Sequence, residues 1–146
     1  MQPQSADALS NRGAVLKALG RLEEALASYE QALALRPDFA AALNGQGCVL
    51  SDMDRFEEAL ASFDKALAAA PDFAVALGNR GRALQYLGKL VAARADYRRA
   101  LACDPKLANV YLDYADCAKV GADDPHLPAM AALRNDPDLG DTAKVK

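Results

Sequence analysis

Apolar and small residues near the start of the chain fall three or four positions apart. Leu9, Gly13, Leu16 and Leu19 lie on one face of a helix. Gly20 breaks the run where a helix ends in a left-handed cap. The same spacing resumes from about Leu22, with Ala25, Leu26, Tyr29, Ala32 and Leu33 on the inner face of a second helix. That helix stops before Pro37, because the residue preceding a proline avoids helical geometry. Asp38 is then placed to cap a further helix starting around Ala40.

The pattern recurs every 34 residues, as Pro37, Pro71 and Pro105 mark. Gly13, Gly47 and Gly81 keep the interval, as do Leu16, Leu50 and Leu84. So do Ala25, Ala59 and Ala93, and Ala32, Ala66 and Ala100. An aromatic column runs Tyr29, Phe63, Tyr97, and another column runs Leu22, Phe56, Leu90. Gly20 corresponds to Asp54 and Gly88. Small residues let two helices approach, and the aromatic fills the space beside them. One helix pair cannot bury its apolar face alone, so neighbouring pairs must stack into a continuous core.

A fourth first helix is predicted over Ala108 to Val120, where Tyr111, Tyr114, Ala115 and Ala118 continue the spacing up to Gly121. Its second helix does not follow in register. Asp123, Asp124, Pro125 and His126 interrupt it, and the short apolar segment Leu127 to Leu133 then reads as a capping helix. A polar tail follows.

The set Leu9-x-x-x-Gly13-x-x-Leu16, Ala25, Tyr29, Ala32 and Pro37, repeated three times in register, resembles the tetratricopeptide repeat. Leu9, Leu43 and Leu77 stand where the family usually has tryptophan. The resemblance implies an all-α fold, a right-handed solenoid of antiparallel helix pairs. The expected organisation is an N-terminal tail (1–5), three repeats (6–39, 40–73, 74–107), a partial fourth repeat with a capping helix (108–134) and a polar tail (135–146).

The resemblance also implies a binding groove, because first helices line the concave side of such arrays. Transferring that geometry gives Asp7, Ser10, Asn11, Ala14 and Lys17, then Ala41, Asn44, Gly45, Cys48, Ser51 and Asp52. The third repeat adds Val75, Gly78, Asn79, Arg82, Gln85 and Tyr86, and the fourth adds Asn109, Leu112, Asp113 and Asp116. The candidate partner-binding residues are Asn11, Lys17, Asn44, Cys48, Asp52, Asn79, Arg82, Gln85, Tyr86 and Asp113. Asn11 and Asn79 are equivalent, with Asn44 displaced by one residue. This is similar to the asparagine ladder in repeats attached to O-linked N-acetylglucosamine transferases, broken here by Gly45 and Asp113. Chaperone-binding members clamp a terminal carboxylate with two lysines, two asparagines and an arginine. The matching residues here are Ser10, Ala14, Gly45, Val75 and Asn79, so that mode is not expected.

Composition narrows the partner. Net charge is −3, which argues against a nonspecific nucleic-acid binder. No apolar stretch approaches the length needed to cross a bilayer, and the polar start Met1 to Ser5 shows no signal-peptide pattern. Three cysteines without regular spacing read as free thiols in a reducing compartment, so the expected address is cytoplasmic. No C-x-x-C pair and a single histidine leave no metal site with ordinary ligand spacing, and no cofactor is expected.

Catalytic chemistry is not expected either. His126 sits beside prolines in a loop and reads as a surface residue. Glu23-Glu24 and Glu57-Glu58 recur at the starts of second helices, where acids favour the positive helix end. Gly78-Asn79-Arg80-Gly81 lies inside a first helix, so it is no phosphate loop.

The expected function is a protein- or peptide-binding scaffold. One alternative is the regulatory or substrate-docking part of a larger transferase. Residues 127–141, with Asp136-Pro137-Asp138-Leu139, resemble the region after the repeats in bacterial sulfotransferases, and the asparagines point toward a glycosyltransferase. A second alternative is self-assembly into a weak homo-oligomer. Residues 40–73 hold six acids and two bases, whereas 74–105 hold two acids and six bases, so opposite ends would attract.

Overall fold

The computed structural model describes residues 5–120. All regular structure among them is helical: α1 (Ala6–Ala18), α2 (Leu22–Leu35), α3 (Ala40–Asp52), α4 (Phe56–Ala69), α5 (Ala74–Tyr86), α6 (Leu90–Cys103) and α7 (Ala108–Val120). The expected capping helix, the polar tail and His126 lie outside the described residues. So do residues 1–4.

Short turns fold α1 onto α2, α3 onto α4 and α5 onto α6, and each second helix packs on the next first helix. The turn within each pair is the same device three times. The α1 end places Gly20 at φ 78°, with its N–H donating to Lys17 O at 3.0 Å and the Arg21 N–H to Leu16 O at 2.9 Å. This double bond pattern satisfies carbonyls that the helix leaves open. Gly88 repeats it at φ 78°, and Asp54 repeats it at φ 61° without the freedom of glycine. Between pairs, Pro37 and Pro71 follow directly on the residues that end α2 and α4, Arg36 and Ala70.

The cap expected from Asp38 is not made. Phe39 is the residue at the N-terminal boundary of α3, and no side chain caps it. Phe73 takes the same place before α5. Instead the Arg36 guanidinium lies 4.0 Å from the centre of the Phe39 ring. The linker is thus held by packing and a cation–π contact, which leaves the Asp38 carboxylate outside the cap.

The aromatic column does what its spacing implied. Tyr29, Phe63 and Tyr97 are buried. Each lies against the glycine of its own first helix: a Cβ on Gly13 would sit 2.9 Å from the Tyr29 ring, and one on Gly47 would sit 2.5 Å from Phe63. Gly81 meets Tyr97 at 2.7 Å in the same way. Tyr29 also reaches forward onto Gly45 of the next repeat. Ala32 and Ala42 are both fully buried in one apolar cluster that joins α2 to α3.

A polar column at the pair interface was not foreseen. Ser28, Ser62 and Asp96 stand 34 residues apart and are all buried. Ser28 Oγ donates to Leu9 O at 2.7 Å, and Ser62 Oγ donates to Gln46 Oε1 at 3.0 Å. Asp96 accepts two bonds of 2.7 Å from Arg80, which also donates to Asp64 at 2.9 Å. The paired guanidinium is what allows a carboxylate to be buried here.

Gly47→Ala tests the ring-on-glycine packing. Alanine has the better helix propensity by about 1 kcal/mol, but overpacking costs about 1–3 kcal/mol. With Phe63 fully buried, a net loss of up to about 2 kcal/mol is expected in urea unfolding. A gain in stability would show that the ring does not depend on the glycine.

Candidate functional site

The first helices meet one another along one side of the stack: α1 touches α3, α3 touches α5, and α5 touches α7. Side chains two helices apart in sequence thereby become neighbours. Lys17 Nζ lies 3.5 Å from Asp52 Oδ2, linking α1 to α3. Asn79 Nδ2 donates to Asn44 Oδ1 at 3.1 Å and to Cys48 Sγ at 3.2 Å, linking α5 to α3. Arg82 donates to Asp113 Oδ2 at 2.8 and 3.3 Å, linking α5 to α7. The side chains of Lys17, Asp52 and Arg82 are over a third exposed or close to it, so these pairs hold register at a gain of about 0.2–1 kcal/mol each.

A pocket of about 490 Å³ opens between these links. Its lining contains Lys17, Cys48, Asp52, Asn79, Arg82 and Tyr86 from the expected set, and Ser51 from the wider groove list. Asn44 and Asp113 do not line it but bond to Asn79 and Arg82, which do. Asn11 is exposed on α1 but does not line the pocket. Gln85 faces its own second helix, where its Oε1 accepts from the Tyr97 hydroxyl at 2.7 Å.

Three positions on the wider list do not face the groove. Ser10, Gly45 and Gly78 are buried. Gly45 is covered by the Tyr29 ring, and a Cβ on Gly78 would meet Val110 at 2.9 Å. They belong to the seams between helices.

Phe56 and Asp54 line the pocket and were missed. In the repeat register Asp54 belongs to the turn and Phe56 to an apolar column. Phe56 stacks on Tyr86 with ring centroids 5.0 Å apart and planes 15° apart. The signal was present, because Phe56 is the one aromatic in the column of Leu22 and Leu90.

The pocket combines charged, amide and aromatic side chains with one thiol. Burial raises the Cys48 thiol above its ordinary value; Lys17 and Arg82 pull it down and Asp52 pushes it up. It is therefore held as a thiol. No group of three or more histidine, cysteine or acidic residues able to hold a metal occurs among the described residues. None of the described helices is long and apolar enough to cross a membrane.

Family models for the tetratricopeptide repeat match residues 4–72 and 44–108. The chain belongs to the tetratricopeptide repeat family. No curated protein matches it. Among solved structures, it is similar to the first repeat domain of Spaghetti (RPAP3) bound to the HSP90 peptide SRMEEVD, with TM-score 0.79, 22% identity, and 84% of this chain and 97% of that chain covered. The second repeat domain of human RPAP3, in complex with an HSP70 peptide, gives TM-score 0.72 at 22% identity, over 77% and 93% of the two chains. The repeat domain of Arabidopsis OM64 gives TM-score 0.76 at 20% identity, over 79% and 95%. At these identities the likeness shows the fold.

Part of the charge split between the second and third repeats is met within the chain. Asp52 pairs with Lys17, Glu58 with Arg55, Asp64 and Asp96 with Arg80, and Arg82 with Asp113. Arg94 is buried and donates to Cys117 O at 3.1 Å. The bases expected to attract a second copy are thus reduced to a few at the surface.

The raised thiol of Cys48 sets an expectation for alkylation. At pH 7.5 iodoacetamide should modify Cys48 more slowly than the exposed Cys103, and the Cys48 rate should climb as pH rises toward its elevated pKa. Peptide mass mapping over time reads both sites. Cys48 reacting first at pH 7.5 would contradict the burial argument.

Proposed function

We propose that the protein is a binding scaffold that holds an extended peptide segment of a partner protein along the groove of first helices. The observation that carries this reading is the Asn44–Asn79 pair. Asn79 spends its amide hydrogens on Asn44 Oδ1 and Cys48 Sγ. That leaves Asn44 Nδ2 as a donor and Asn79 Oδ1 as an acceptor side by side. One peptide unit of an extended chain offers the complementary carbonyl and N–H. Ser51 Oγ, buried without a hydrogen-bond partner among the described residues, adds an unspent polar group to the same pocket. An unsatisfied buried hydroxyl is costly, so a ligand that reaches it gains affinity.

The peptide-bound repeat domains of RPAP3 support a peptide as the class of ligand. Free thiols at Cys48, Cys103 and Cys117 suit a reducing compartment, which supports a cytoplasmic setting. The scaffold itself supplies no chemistry in this reading.

Peptides selected from a random phage-displayed library on the wild-type protein provide the test. Asn44→Ala with Asn79→Ala removes about two hydrogen bonds, so the selected peptides should weaken about thirtyfold with helicity unchanged. Bound peptide should also slow alkylation of Cys48. Undiminished affinity in the double variant, with Cys48 still open to reagent, would move the site off this groove.

A further inference from the structure

Resting on the groove reading above, we propose that the preferred partner segment carries an arginine or lysine whose cation lies over the exposed Tyr86 ring and pairs with the Asp54 and Asp52 carboxylates.

Three observations support this. First, both cations in the pocket already have acids. Lys17 is answered by Asp52 at 3.5 Å and Arg82 by Asp113 at 2.8 Å. Asp54 lines the same pocket, and its carboxylate has no ion-pair or hydrogen-bond partner among the described residues. Lys17 and Arg82 are thus each answered, and Asp54 is the lining carboxylate left without a cation. Asp52 contributes as well, because a carboxylate has acceptor sites beyond the one facing Lys17.

Second, Tyr86 is 69% exposed yet held in place by its stack on Phe56. One ring face is covered and the other is open. An open aromatic face beside a carboxylate is a receptor for a guanidinium or ammonium group. Asp54 is fixed beside Phe56 by its place at the left-handed cap, two residues before it in sequence. The turn therefore positions both the acid and the Phe56 ring on which Tyr86 rests.

Third, the positions that would grip an acidic chain end hold Ser10, Ala14, Gly45, Val75 and Asn79, none of them cationic, and Ser10 and Gly45 are buried. The acidic HSP90 and HSP70 peptides seen on the RPAP3 domains would meet no free cation there. Register follows from α5. Tyr86 lies two helical turns beyond Asn79, about 10 Å, which an extended chain spans in about three residues. The cation should stand at that distance from the peptide unit held by the asparagines.

The test uses isotope-labelled protein of full length and three short blocked peptides of one Ser/Gly/Ala backbone, with paired arginines, paired glutamates or paired serines at the centre. At low salt the arginine peptide should shift the amide resonances of Asp52, Asp54, Phe56 and Tyr86, with about tenfold tighter binding than the glutamate peptide. Asp52→Asn with Asp54→Asn should erase most of that preference. Asparagine tolerates the left-handed cap, and thermal unfolding verifies the fold. Equal or tighter binding of the glutamate peptide overturns the proposal, and so does a preference that survives in the double variant. Absence of any arginine-dependent shift at these residues also overturns it. The groove reading is judged separately, by the Asn44 and Asn79 variants on selected peptides.

Discussion

The ring of one second-helix residue lying on the glycine of its own first helix is the contact on which the stack depends. Tyr29, Phe63 and Tyr97 can be buried only because Gly13, Gly47 and Gly81 leave room for them. That contact fixes how closely the helices of a pair approach. The pair's spacing then fixes where the outer face of the second helix stands. The next first helix must match that face, as Ala42 does against Ala32 and as Gly45 does under the Tyr29 ring. A local steric choice repeated every 34 residues thus becomes the geometry of the whole array.

The groove is a consequence of the same spacing. Because every first helix is set by its own pair, neighbouring first helices touch at single points, as Gly78 does under Val110. Polar side chains bridge the rest of the interval, from Lys17 to Asp52, Asn79 to Asn44 and Arg82 to Asp113. The core bears the stability, and the bridges tune what the concave face presents. A surface built from half-exposed polar pairs can change by substitution without disturbing the rings beneath it. This separation lets one fold serve many partners.

The fold was legible in the sequence because its determinants are columnar. Each buried small or aromatic position recurs at one interval, so periodicity reports packing directly. The second helices and the left-handed caps followed from Gly20 and its counterparts, including Asp54 at φ 61°. What failed was local. Asp38 looked like a cap by residue type, yet packing of Phe39 under Arg36 sets the linker. Nothing in the residue types of Arg94 and Asp96 marks them as buried, because charged side chains are rarely fully buried. Their burial depends on partners from other helices, Arg80 for Asp96 and the Cys117 carbonyl for Arg94. The Ser28 and Ser62 column did point to a small polar site there, which the acid at position 96 inherits.

The groove was legible only as a set of positions. Register gave the helix faces, and most of the expected residues do border one pocket. Register could not reveal that Asn79 turns toward Asn44 and Cys48, or that Gln85 turns away to Tyr97. Those outcomes depend on side-chain torsions and on contacts across 31 or 35 residues, which differ from the repeat interval. One groove contact nevertheless keeps the repeat, because the positions bonded in Cys48 with Asn79 recur 34 residues on in Arg82 with Asp113. What changes between the two is the chemistry, a thiol with an amide in one place and a guanidinium with a carboxylate in the next. The core columns keep small and aromatic residues in every repeat, whereas the groove keeps the positions and varies the side chains. A binding surface of the kind proposed would draw its selectivity from that variation.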